Sequence, residues 1–183
     1  QDHHGDSSEI AGIHKMTAFQ QTIAHEIGHN VDDERADAVR EQASWKNEES
    51  SPEVKKKLKE CEGGGVASDG RFYARNEDGS ISSVDPALMP DVGSHTHDNT
   101  DGDENTWDYA RTKRSDYFAE MYSKAVIAPE LLYQDMIEGP QAKVADLKAK
   151  NASQTDIDEA QRIADSMAAQ HAEMRKTVFK IDP

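Results

Sequence analysis

The chain has 183 residues and a formal net charge of −15, from 36 acidic against 21 basic side chains. That length suits one ordinary domain with its own core. The charge argues against a nucleic-acid backbone or an anionic membrane as partner, and makes a basic peptide electrostatically welcome. No apolar run reaches the roughly 18 residues of a membrane span, and no basic segment leads into an apolar stretch as in a signal peptide.

Residues 1–16, with His3, His4 and His14, read as a flexible, solvated N-terminus. Thr17 with Gln20 then makes a capping-box start, and only Gly28 interrupts the run of helix formers to about Ala43. The spacing predicts one long helix there. Ile23, Ile27 and Val31 recur every fourth residue and are expected to form its buried stripe, with Glu34, Arg35, Asp37 and Arg40 marking the wetter end. Lys46 to Glu60 reads as a solvated charged stretch with a short helix from Pro52 to Lys59.

From Cys61 to Thr106 the chain is expected to be irregular, with consecutive glycines at Gly63, Gly64 and Gly65. Within it, Arg71 to Arg75 and Ser80 to Val84 flank Asn76-Glu77-Asp78-Gly79, and the Asp-Gly pair predicts a hairpin. Helical periodicity returns from Ser115 to Ile127, with Phe118, Met121, Tyr122 and Ala125 on one side. Pro129 opens a short helix through Ile137, Gly139-Pro140 is expected to break it, and Gln141 to Lys150 resumes. Thr155 with Asp158 caps a last helix, on which Ile157, Ala160, Ala164, Met167, Ala168, His171 and Met174 form a packing stripe. His171 on that stripe reads as a satisfied core histidine. The expected fold class is α+β and predominantly helical, a single domain over 1–183 with a small β element and C-terminal helices.

His25-Glu26-Ile27-Gly28-His29 is an HExxH motif. One helical turn separates the histidines, so both imidazoles point from one face toward the same ion. Glu26 is rotated about 100° from His25, which lets it stand beside the metal as a general base without ligating. Zinc acidifies a bound water toward a pKa of roughly 7, and Glu26 can take its proton as a scissile carbonyl is attacked. Cys61 is the only cysteine and reads as an ordinary thiol, so the ligands must be histidines and carboxylates. A catalytic zinc needs a third protein ligand. The metzincin continuation is excluded because Asp32 and Arg35 stand where Gly and His belong. An acidic ligand on a later helix remains, and Asp116-Tyr117-Phe118-Ala119-Glu120 puts two carboxylates one turn apart on one face. Asp108 of Thr106-Trp107-Asp108 is a weaker rival, whose plain reading is a loop or cap carboxylate. His95 and His97 with Asn99, Asp101 and Asp103 fail the EF-hand pattern, because Asp108 rather than glutamate falls at its last position; a polar loop is the expected reading.

Two blocks together, His25-Glu26-Ile27-Gly28-His29-Asn30-Val31-Asp32-Asp33 and Tyr109-Ala110-Arg111-Thr112 followed by Asp116-Tyr117-Phe118-Ala119-Glu120, carry a more specific signal. Their pattern resembles the catalytic domain of the anthrax lethal factor family of toxin metallopeptidases. The resemblance implies a zincin-like zinc metallopeptidase in which His25, His29 and Asp116 hold the metal. It implies that Glu120 orients a liganding histidine and that Tyr109 donates a hydrogen bond to the oxyanion of the tetrahedral intermediate. Asp116 stands where the family has glutamate and is one methylene shorter, so its helix must approach the metal closely; otherwise Glu120 would ligate and Asp116 would drop behind it. The implied function is a zinc endopeptidase acting on a protein or peptide, a toxin or effector domain of a longer protein, secreted or delivered into a target cell. The alternatives are a noncatalytic module organised by metal and a zinc hydrolase of a nonpeptide amide.

Overall fold

The computed structural model describes residues 18–31, 33–62, 65–89 and 114–179. Thr17, Asp32, His95, His97, Asp108, Tyr109, Arg111 and Thr112 lie outside the described residues. The fold is α+β and mostly helical, with a small three-stranded sheet.

The long helix expected from Thr17 to Ala43 is instead two helices, α1 (Ala18–His29) and α2 (Asp33–Gln42). The reason is local. The Asn30 side-chain amide donates to the Glu26 carbonyl at 2.8 Å, the acceptor its own N–H would need to continue the helix. The Asn30 N–H bonds the Ile27 carbonyl instead, at 2.9 Å, so the last turn tightens and stops.

The buried stripe of α1 is also not the one periodicity suggests. Ile23 and Ile27 are 45% and 49% exposed, whereas Ala24, His25 and Gly28 face inward. Helix α1 packs chiefly along α4 (Arg114–Ile127), and small residues rather than isoleucines let the two axes close. Val31 keeps its expected place, packed against the core.

Strand β1 (Lys46–Glu48) follows α2, then α3 (Pro52–Glu60), whose first turn is closed by Ser51 Oγ accepting from the Val54 N–H at 3.2 Å. Strands β2 (Phe72–Arg75) and β3 (Ile81–Val84) form the expected hairpin, with Gly79 at φ +83 and Asp78 accepting from the Ser80 N–H at 2.9 Å. The sheet order is β1-β3-β2, all antiparallel, so β3 is central and buried throughout. At three residues β1 is too short to show an alternating pattern, so its sequence gives no strand signal.

Helix α4 starts one residue before the expected Ser115 and buries Phe118, Met121 and Ala125 as predicted. After α5 (Pro129–Tyr133) the chain does not break at Gly139-Pro140. It widens into one π turn (Gln134–Glu138) and runs on into α6 (Gly139–Ala149). The wider turn lets the Gly139 N–H bond the Gln134 carbonyl and puts Pro140, which has no N–H, in a first turn where none is required. It also carries Asp135 to the buried Lys124 of α4, at 2.5 Å. Helix α7 (Gln154–Phe179) is capped by Ser153 rather than Thr155: Ser153 Oγ accepts from the Asp156 N–H at 3.2 Å and donates to the Asp156 carboxylate at 2.6 Å.

The main core joins Phe72, Ile81 and Val84 of the sheet to Tyr117, Phe118 and Met121 of α4 and Met174 of α7. Buried Tyr117 donates its hydroxyl to Gln170, whose amide donates to the Leu88 carbonyl at 2.8 Å. Among the described residues, no helix is long and apolar enough to cross a membrane.

Asp69 ties α3 to the hairpin, accepting from Lys57 Nζ at 2.7 Å, the Tyr73 hydroxyl at 2.8 Å and the Arg71 N–H at 3.2 Å. Burial alone would raise its pKa, but the three donors prevail and hold the carboxyl at about 2, against an ordinary 3.8. A carboxylate depressed in the folded state stabilises above its unfolded pKa and loses that contribution as pH falls through the folded value. Asp69→Asn is therefore expected to lower the melting temperature at neutral pH, with the deficit closing between pH 3.8 and about 2, as thermal melts across that range will show.

Candidate metal centre

Helix α1 sets His25 and His29 one turn apart, with their Nε2 atoms 2.9 Å from each other and their rings edge to face. Across the seam, α4 sets Asp116 and Glu120 one turn apart. Asp116 Oδ1 lies 3.4 Å from His29 Nε2 and 4.0 Å from His25 Nε2. Glu120 Oε1 lies 3.0 Å from His25 Nδ1, on the other edge of that ring. The two carboxylates thus do different things. Asp116 faces the nitrogens that converge, and Glu120 grips the nitrogen that does not.

Among the described residues, His25, His29 and Asp116 form a group of ligand-type side chains whose donor atoms lie within 4.8 Å of one another. From the three separations, a point equidistant from the two Nε2 atoms and Oδ1 lies about 2.0 Å from each, which is the zinc–nitrogen and zinc–oxygen distance. The donor chemistry agrees, with two imidazoles, one carboxylate and no thiolate. A proton held on His25 Nδ1 by Glu120 leaves its Nε2 lone pair free to ligate.

Burial grades across the site. His25 and Asp116 are 6% and 5% exposed, His29 is half-buried, and Glu26 stands in solvent on the same helix. Burial pulls the His25 pKa down, but the hydrogen bond and charge of Glu120, with help from Asp116 and Glu26, outweigh it and raise the pKa above the ordinary 6.5.

The device that brings α4 this close is Gly28 in the HExxH motif. A Cβ placed there would stand 2.8 Å from the Ala119 Cα and 3.2 Å from its Cβ and carbonyl oxygen. Helical periodicity marks Gly28 only as an interruption, although the small pair Gly28 and Ala119, one in each motif, is visible in the sequence.

Other expectations resolve differently. Cys61, expected to be an ordinary thiol, is buried and accepts from the Tyr73 N–H at 3.3 Å, and burial pushes its thiol pKa up. His171 is not a satisfied core histidine. It is half-buried, edge-on to Tyr133 at 5.7 Å, and lines a cleft of about 530 Å³ with Arg175 and Met174. Tyr109, the expected oxyanion donor, and Asp108 lie outside the described residues; Asp33 heads α2. No family model, curated protein or solved structure matches the chain.

A histidine whose pKa is raised on folding stabilises the fold below its unfolded value, and the contribution fades as pH rises through the folded value. In metal-free protein, Glu120→Gln is expected to cost most stability at acid pH. Thermal melts with chelator, about two pH units below and above 6.5, will show a deficit that shrinks on the alkaline side. An equal deficit at both would mean that Glu120 does not govern His25.

Proposed function

We propose that the chain is a zinc-dependent endopeptidase of zincin type, akin to the anthrax lethal factor family. The observation that carries this reading is the convergence of His25 Nε2, His29 Nε2 and Asp116 Oδ1 from two separate helices, with Glu120 behind His25. His25, His29 and Asp116 would hold the ion, and Glu120 would fix the His25 ring and its tautomer. Zinc bound there supplies a Lewis acid and acidifies a water at neutral pH.

The remaining chemistry belongs to the protein. Glu26, one residue from a ligand and open to solvent, accepts the proton of the attacking water and returns it to the leaving amine. Tyr109 is assigned the hydrogen bond to the oxyanion on the strength of its motif. Three protein ligands leave a coordination position for substrate, whereas a purely structural zinc is closed by four. That open set, together with Glu26, favours an enzyme over a binding module organised by metal. The acidic surface favours a basic protein or peptide substrate, and the motif resemblance favours a secreted or delivered toxin or effector.

Wild type and Glu26→Gln are both expected to bind near-stoichiometric zinc, while cleavage of casein or a peptide library falls by roughly 10²- to 10⁴-fold in the variant. Zinc without cleavage in wild type would overturn the enzyme reading, and no zinc would overturn the metal as well. In equilibrium dialysis, Asp116→Ala is expected to lose more zinc than Glu120→Ala, whose loss should be about 10- to 100-fold.

A further inference from the structure

We infer that the cleft between α5, the π turn and α7 is a binding site for a short apolar peptide with free termini, separate from the metal centre and independent of the zinc reading. Its volume is about 530 Å³, within the roughly 300–1,000 Å³ of small-molecule sites. Ala125, which lines it from α4, stands nine residues beyond Asp116. At about 1.5 Å and 100° per residue, that is roughly 14 Å along the helix from Asp116 and on its opposite side. The cleft is apolar inside. Buried Leu132 and Met174 line it, and Tyr133, 45% exposed, stands edge-on to His171 at 5.7 Å.

The charges of the cleft are divided by element. Arg175 comes from α7, Glu130 from α5 and Glu138 from the end of the π turn, and all three are exposed. Among the described residues, none of these three side chains has an ion-pair or hydrogen-bond partner. Opposite charges that line one cleft without meeting suit a ligand that carries both: its carboxylate on the Arg175 fork, its ammonium at Glu130 and Glu138, and its apolar side chains over Leu132 and Met174. A polybasic segment would meet Arg175 and an acidic one the two glutamates, so neither matches as well. A peptide rather than a single amino acid fits because each extended residue parts the terminal charges by a further 3.3–3.6 Å or so. Burial, and then the charge of Arg175, lower the pKa of His171 from 6.5, so near neutral pH its ring adds no second cation. The wall holding Glu138 is the π turn, both ends of which, Gln134 and Glu138, line the cleft. Such turns interrupt regular helix and recur at functional sites.

The test is amide NMR on the isotope-labelled full chain, titrated with leucyl-leucine, N-acetyl-leucyl-leucine and leucyl-leucine amide at millimolar concentrations. Leucyl-leucine is expected to shift the resonances of Tyr133, Gln134, His171 and Arg175. Each capped form is expected to bind roughly tenfold more weakly, the scale of a lost hydrogen bond between charged groups. Arg175→Gln should weaken leucyl-leucine to the level of its amide and leave the amide unchanged. Glu138→Gln should instead narrow the gap between leucyl-leucine and its acetyl form. Both positions are exposed, so the fold tolerates the changes. Absence of shifts, shifts centred on His25 and His29 instead, or binding unchanged in both variants would overturn the inference. Equal binding of the capped forms would also overturn it, and would favour a segment within a partner's chain as the occupant. None of these readouts needs bound metal, so failure of the zinc reading leaves the test intact.

Discussion

Side chains of fixed length on two helices can converge only if the helix axes come close enough, and at this site that closeness depends on a residue without a side chain. Gly28 lies against the Ala119 backbone, and the distances from Asp116 and Glu120 to the two histidines follow from that contact. Packed interiors have no slack to absorb even one methyl group there. The helical penalty that glycine carries, about 1 kcal/mol relative to alanine, is outweighed at Gly28 because alanine would part the seam.

The seam is held from behind. Helix α4 presents Asp116 and Glu120 on one face, and on the others it is fixed by the core and by buried polar pairs. Tyr117 reaches Gln170 on α7, which in turn holds the Leu88 carbonyl. Lys124 reaches Asp135 on the π turn, a geometry that an unbroken α-helix would not offer in the same register. Phe118 and Met121 fill the core between the sheet and α7. Under the proposed zinc reading, Asp116 would gain from such rigidity, because the cost of ordering it is met by folding.

Much of this is legible in the sequence, for identifiable reasons. Elements marked by a local device stand where the sequence puts them: Pro52 behind Ser51 for α3, Asp78-Gly79 for the hairpin, and the apolar spacing of Phe118, Met121 and Ala125 for α4. Features that depend on tertiary contacts do not follow the local pattern. Ile23 and Ile27 have ideal helical spacing and yet face out, because the partner helix needs small residues against it. The stop at Asn30 escapes periodicity because it comes from a side chain competing with the backbone, and the passage through Gly139-Pro140 does so because a π turn absorbs what usually breaks a helix. The histidine pair reads directly, since one helix fixes its geometry. The partition of Asp116 and Glu120 between the two edges of the histidines does not, since it depends on how two helices far apart in sequence are set together.

Whether His25, His29 and Asp116 converge on one zinc ion can be decided by X-ray absorption at the zinc edge on the stoichiometric complex. The expected spectrum has a shell of nitrogen and oxygen at about 2.0–2.1 Å, outer-shell scattering from two imidazoles, and loss of one oxygen scatterer in Asp116→Ala. A sulfur scatterer at about 2.3 Å, fewer than two imidazoles, or a shell unchanged by Asp116→Ala would contradict that convergence.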